Sequence, residues 1–358
     1  MSSKLQSHDT ASKIKVLFIS NTARVDQPYL DPAVRYRCFN PAFDLTKLGH
    51  TADVIAFSQF NLGMIDNYDL FVFHKPPKHN TLEAAIDLIV KRGKQTFADY
   101  DDLIFDQRNA LSSSLYLTGR ASKKIVLDIF AKNHYALSLF SHVTTSTTAL
   151  AQQVKISNPK AKVTVIHNGL NQDWIDYATR KYASSYVDGL ISYFCGTKSH
   201  DHDFKIIEST LAHALHSNPN LTLRIVGPLT FDTAKFPLRQ LMLVKAVPYE
   251  VLPHYIMQSY INIAPLEDNT FNKSKSGLKF FEAGIFGVPS IASPIPDIAR
   301  FKDSGIELPK KDADWEPALG RMLSMSADEH RLLRKSTAEY TETHCLSTPQ
   351  TNKILSLI

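Results

Sequence analysis

Ile14 to Ser20 reads IKVLFIS, a nearly continuous apolar run broken only by Lys15 and leading directly into the polar pair Asn21-Thr22. A strand buried on both faces of a parallel sheet has this form, and it delivers its loop at the carboxyl end. Working outward, a helical stretch from Ala33 to Leu48 ends at Gly49, a residue free to take the positive φ of a helix cap. Strand-like runs follow at Thr51–Ala56, Leu70–Phe73 and Gln95–Ala98, with a helix over Thr81–Arg92 between the last two. Ala121–Phe140 reads as a helix, His142–Thr145 as a strand, Thr148–Ile156 as a helix and Lys162–Ile166 as a strand, and this sheet finishes at His167-Asn168-Gly169. Strand and helix alternate, which marks a parallel sheet covered on both faces.

Asn171 to Asp188 carries Trp174, several tyrosines and scattered charges without a firm period, so a domain boundary is expected there. The division is a first domain over 1–180 and a second over 181–358, with the final helix expected to pack back on the first. A second alternation starts with strand Leu190–Phe194, helix Phe204–His216 and strand Leu221–Val226, stopped by Gly227-Pro228. It continues with a strand at Gln240–Val244, a helix at Val251–Ser259, a strand at Tyr260–Ala264, a helix at Ser276–Phe286 and a strand at Ser290–Ala292. The fold class is therefore α/β with two Rossmann-like parallel-sheet domains facing a central cleft. Ligands of such sheets meet the loops beyond the carboxyl ends of the strands.

The chain has 358 residues, 44% of them hydrophobic, which is ample for two cores. No stretch approaches the length of a membrane-spanning helix, and Met1 to Ser12 is polar, so the expectation is a cytoplasmic protein. Cys38, Cys195 and Cys345 are isolated and suggest neither a disulfide framework nor a zinc site. The net charge is +5, with basic groups at Lys91, Arg92 and Lys94 and at Arg120, Lys123 and Lys124. These fit an anionic membrane surface, with peripheral attachment, an anionic substrate, or ordinary solvated helix faces.

The densest chemical signal is Asn272 to Pro289, NKSKSGLKFFEAGIFGVP. A polar loop feeds a helix, whose free N–H groups attract phosphate while Lys275 or Lys279 neutralises it. Ser276, Gly277 and Leu278 lie where that loop becomes helix, and Glu282 is placed two turns on to accept hydrogen bonds from a ribose. The plainer reading is a surface helix capped by Ser276. In FCGTKSHDHDF, Phe194 to Phe204, the chain leaves a strand through Gly196, making Thr197, Lys198 and Ser199 candidates to hold a diphosphate. Its His200, Asp201, His202 and Asp203 are adjacent loop residues, a poor pattern for converging on one ion, so no metal is expected.

In the first half, His74 stands just beyond one strand and Asp99, Asp101 and Asp102 beyond the next. They point to the sheet edge where Asn21 to Arg24 also emerges. A lone histidine there is as readily structural as functional, whereas clustered carboxylates need solvent, cations or substrate hydroxyls. Arg35 offers an anion clamp; Arg37 does not share its helix face.

VTVIHNGLN (Val163–Asn171), LRIVG (Leu223–Gly227) and above all LKFFEAGIFGVPSIAS (Leu278–Ser293) resemble the group 1 (family 4-like) retaining glycosyltransferases of GT-B fold, of the bacterial surface-polysaccharide type. The resemblance spans both domains. It implies a retaining transfer of a sugar from a nucleotide-sugar donor to a glycan or lipid-linked glycan in polysaccharide biosynthesis, with no cofactor, no metal and no nucleic-acid partner. It implies further that Glu282 contacts the donor ribose, that the loop before its helix contacts sugar or diphosphate, and that His74 lies beside the transferred sugar. Lys198 and Lys279 then assist the departure of the diphosphate, while Arg24, Arg35 and Asp102 stand with Asp101 on the acceptor side. Two departures stand out: Ser274 replaces the first of the family's paired glutamates, and its usual Arg and Lys phosphate contacts are absent. A nucleotide-sugar epimerase of related fold and a non-enzymatic glycan- or nucleic-acid-binding protein are the alternatives.

Overall fold

The computed structural model describes residues 13–181, 186–196 and 200–357. The first sheet comprises β1 (Lys15–Ser20), β2 (Thr51–Ala56), β3 (Leu70–His74), β4 (Gln95–Tyr100), β5 (His142–Thr145) and β6 (Lys162–Val165), in the order β2-β1-β3-β4-β5-β6. The second comprises β7 (Leu190–Phe194), β8 (Thr222–Val226), β9 (Leu241–Val244), β10 (Ile261–Ala264) and β11 (Ser290–Ala292), in the order β11-β10-β7-β8-β9. Every pairing within them is parallel. The expected two parallel-sheet α/β domains are borne out. Chain order reverses beside β1 and β3 in one sheet and beside β7 and β10 in the other, and at such points the loops diverge and leave a crevice.

The Ala33–Leu48 helix is interrupted. An α turn at Pro32–Val34 passes into a π turn at Arg35–Phe39 before α geometry resumes over Asn40–Lys47. Pro41 has no N–H to give the Arg37 carbonyl, and the Asn40 amide reaches back to the Arg35 carbonyl. The wider turn buries four consecutive residues, Arg35, Tyr36, Arg37 and Cys38. The boundary segment, unperiodic in sequence, contains the helix Gln172–Lys181, whose start Asn171 caps by accepting from the Trp174 amide at 3.3 Å. The helix expected from Phe204 begins at Asp201, and the one expected from Ser276 begins at Leu278, with Gly277 as its cap.

Two segments cross between the domains side by side. The Leu170 amide donates to the Cys345 carbonyl at 2.8 Å and the Ser347 amide to the Leu170 carbonyl at 2.9 Å. After the second crossing, the helix Thr348–Leu355 lies on the first domain, where Thr351 donates to Asp44 at 3.1 Å and Ile354 joins Val16, Phe18 and Val72 in one core.

Candidate active site

At the carboxyl edge of the first sheet, the His74 ring ends β3 and is almost fully buried, at 2% exposure. Its Nδ1 lies 2.9 Å from Ser20 Oγ at the end of β1, and its Nε2 lies 3.1 Å from Asp101 Oδ1. Both ring nitrogens are thus engaged with protein groups. Lys75 follows with a positive φ of 49°, a conformation a non-glycine residue adopts only when its surroundings impose it. That turn brings its Nζ 2.7 Å from Asp101 and 3.0 Å from Asp102. Burial pushes the Asp101 carboxyl up, but Lys75 and His74 together outweigh it and hold it well below the usual carboxylate range. Burial likewise opposes the Lys75 charge, and the two aspartates overcome it and raise the ammonium well above its ordinary value. Asp99 is engaged elsewhere: it accepts from Arg37 Nε and Nη2, at 2.9 and 2.5 Å, and from the Thr144 hydroxyl at 2.6 Å.

Across the interface, Glu282 on the helix Leu278–Gly284 accepts the Tyr36 hydroxyl at 2.5 Å. Burial raises its carboxyl against the pull of that hydrogen bond, Lys279 and Arg35. Arg35 lies with its guanidinium 3.4 Å from the Tyr249 ring centre and 4.8 Å from that of Tyr29, and Tyr249 stacks on Trp174. The first domain therefore reaches the ribose-reading candidate of the second through one short hydrogen bond and an aromatic stack. Lys279 is half-buried on the same helix as Glu282, with Nζ 3.4 Å from His200 Nε2. Burial, reinforced by Lys275, lowers its ammonium.

The other expected residues separate. Lys275 is half-buried with Nζ 5.5 Å from the Phe271 ring centre, and it lines a narrow crevice shared by Ser114 and Leu117 of the first domain with Asp203 and Glu267 of the second. The Gly277 amide donates to Asp297 Oδ2 at 2.7 Å, so the start of that helix is already partly occupied by a carboxylate, contrary to the expectation of wholly free N–H groups. The Ser276 hydroxyl is buried without a partner, and Leu278 packs into the core. Gly196 leaves β7 at φ 40° with open space where a Cβ would stand. Thr197, Lys198 and Ser199 lie outside the described residues. Arg24 is exposed on the loop after β1, and Asp102 is held by Lys75. Lys75 and Tyr36 went unsingled in the sequence: nothing marks them but adjacency to His74 and to Arg35.

No protein-family model and no curated protein matches the sequence. Solved structures do match over nearly the whole chain. An α-glucosyltransferase in complex with UDP and a DNA containing an HMU base is 11% identical, with 97% of this chain and 99% of that one covered at a TM-score of 0.66. A glycosyltransferase from Rickettsia africae is 13% identical, with 97% and 98% covered at a TM-score of 0.63. A candidate UDP-N-acetylglucosamine 2-epimerase from Listeria monocytogenes is 12% identical, with 96% and 95% covered at 0.54. At such identities the likeness establishes the architecture, which is that of GT-B glycosyltransferases.

Proposed function

We propose that the protein is a retaining glycosyltransferase that moves a sugar from a nucleotide-sugar donor onto a glycan or lipid-linked glycan in polysaccharide biosynthesis. The observation that carries this reading is the pair Glu282 and Lys279 at the edge of the second sheet. Among the described residues no carboxylate lies within 4.0 Å of Lys279 Nζ, so it is a half-buried cation without an ion-pair partner. A donor diphosphate supplies that partner, and a donor ribose supplies hydroxyls for the neighbouring carboxylate. Lys275 and, by resemblance, Lys198 add charge where the leaving diphosphate gains it, and the same resemblance assigns Gly196, Thr197, Ser199 and the 276–278 loop to donor contact. With protein groups neutralising the phosphates, this reading needs no divalent ion.

Retention follows, on this reading, from a front-face reaction in which the donor phosphate takes the acceptor proton. Asp101 fits an orienting role better than a basic one. Its low pKa, enforced by Lys75 and His74, keeps it ionised and makes it a weak proton acceptor. His74 holds that carboxylate rather than the sugar, since both its nitrogens are taken. The acceptor is a glycan rather than nucleic acid because the sequence carries no Arg-rich or aromatic strand-binding module, although one structural neighbour was solved with DNA. Exposed Lys123, Lys124 and Ile125, close to Leu117, support a peripheral membrane contact from the cytoplasmic side, with Arg120 beside them.

The test is to incubate the protein with nucleotide sugars and glycan acceptors and follow nucleoside diphosphate release and the product's anomeric configuration by NMR. Acceptor-dependent release with the donor's configuration retained supports the reading. Conversion of the nucleotide sugar without acceptor would instead establish an epimerase, and salt-sensitive DNA binding without donor binding a nucleic-acid protein.

A further inference from the structure

His200 precedes the helix Asp201–Ser217 and is nearly buried. Its Nδ1 lies 2.8 Å from Asp203 Oδ2 and its Nε2 lies 3.4 Å from Lys279 Nζ. The second Asp203 oxygen accepts the Glu267 amide at 2.9 Å and the Asn272 side-chain amide at 3.1 Å, so the carboxylate is fixed from both sides. Burial raises the Asp203 carboxyl, but His200 and Lys275 prevail and hold it below its usual range. An ionised carboxylate only accepts and an ammonium only donates. The ring between them therefore carries its proton on Nδ1 and offers the Nε2 lone pair to Lys279. Burial, with Lys279 adding to it, pushes the imidazole down to about 4, which keeps the ring neutral at pH 7.

This line of groups bridges the switch point. His200 follows the loop leaving β7, Asp203 is tied to the chain leaving β10, and Lys279 comes from the helix between β10 and β11. A lysine side chain has many rotamers, and a neutral acceptor at one end selects among them without cancelling the charge. A carboxylate in the same position would cancel it.

We propose that His200, oriented by Asp203, is a positioning residue that aims the Lys279 ammonium at the diphosphate of the donor. The inference rests on the transferase reading and adds to it residues on which that reading does not depend. The experiment titrates the full chain with UDP, GDP, ADP and CDP, carries the tightest binder forward, and compares it with its monophosphate. Four variants are used: His200→Phe, His200→Gln, Lys279→Met and the Phe–Met double.

His200→Phe, which keeps a ring but neither nitrogen, is expected to weaken the diphosphate about tenfold and the monophosphate much less. Gln, whose amide both donates and accepts, recovers most of the loss. In the Lys279→Met background His200→Phe changes nothing further, because the two act as one unit. Should His200→Phe not fold, Asp203→Asn serves instead, with a smaller loss that also disappears without Lys279. Equal losses with and without Lys279, equal losses for diphosphate and monophosphate, no rescue by Gln, or no loss on His200→Phe while Lys279→Met weakens binding would each overturn the inference alone. A wild-type chain that binds none of the four overturns the transferase reading and this inference with it.

Discussion

Lys75 joins Asp101 and Asp102 where water is scarce, and its own backbone takes an uncommon φ of 49° to do so. Lys75→Met removes one member of a largely buried ion pair and leaves Asp101 to His74 alone, so a loss of about 3 kcal/mol in urea unfolding is expected. The pH dependence follows from the sign of the shifts. The Asp101 carboxyl is lowered, so its contribution is complete above the unfolded value near 4 and fades as pH falls through its lower folded value. The Lys75 ammonium is raised, so its contribution is complete below about pH 10. The gap between wild type and Lys75→Met is therefore flat between about pH 4 and pH 10 and narrows in acid. A gap that changes near neutrality would mean another group controls the site. Tyr36 belongs to the same scale. Its hydroxyl occupies one oxygen of Glu282, which a bound ribose must share or displace. Tyr36→Phe is expected to raise donor affinity a few-fold while costing about 1–2 kcal/mol of stability for the lost charge-assisted bond. Weaker donor binding in that variant would assign Tyr36 to the donor site itself.

At the scale of elements, Gly169 lies where the two crossing segments touch. A Cβ there would stand 2.5 Å from the Leu346 carbonyl carbon and oxygen and 2.6 Å from Ser347 Cα, all backbone atoms with little freedom to move. Gly169→Ala is expected to cost about 1–3 kcal/mol, measured as a lowered midpoint with an unchanged slope in denaturant. An unchanged midpoint would show that the crossing yields. The strands of both sheets were legible in the sequence because parallel strands buried on two faces are continuous apolar runs. The interrupted first helix was not, because its apolar period survives the π turn, and only the turn puts Arg35, Tyr36 and Arg37 inside together. The helix Ala327–His344 escaped notice for a different reason. It buries His330, Arg334, Thr337 and Thr341, a helical spacing carried by polar residues to which hydrophobic periodicity is blind. Glu282, Lys279 and Asp101 were readable as charges at strand ends and helix starts, whereas Lys75, Tyr36 and the use of His74 as a buried tether required the third dimension.

For the whole molecule, no helix among the described residues is long and apolar enough to cross a membrane. The basic groups seen in sequence are not equivalent. Lys94 is tied to the Ile65 and Tyr68 carbonyls and Arg92 to Asp66, whereas Lys123, Lys124 and Ile125 face outward. Sedimentation with phosphatidylserine vesicles is expected at low salt, to weaken at high salt, and to fall in a Lys123→Gln/Lys124→Gln double variant. Absence of sedimentation at low salt would favour a soluble acceptor. The measurement closest to the central claim, however, is a thermal-shift and calorimetric titration of wild type and Glu282→Gln with a panel of nucleotide sugars. Binding to the folded state raises the melting temperature by mass action. At least one nucleotide sugar is expected to stabilise the wild type, with its affinity falling about tenfold or more in Glu282→Gln. A wild type indifferent to the whole panel, or a Glu282→Gln variant that binds as well as wild type, would contradict a donor site at this cleft.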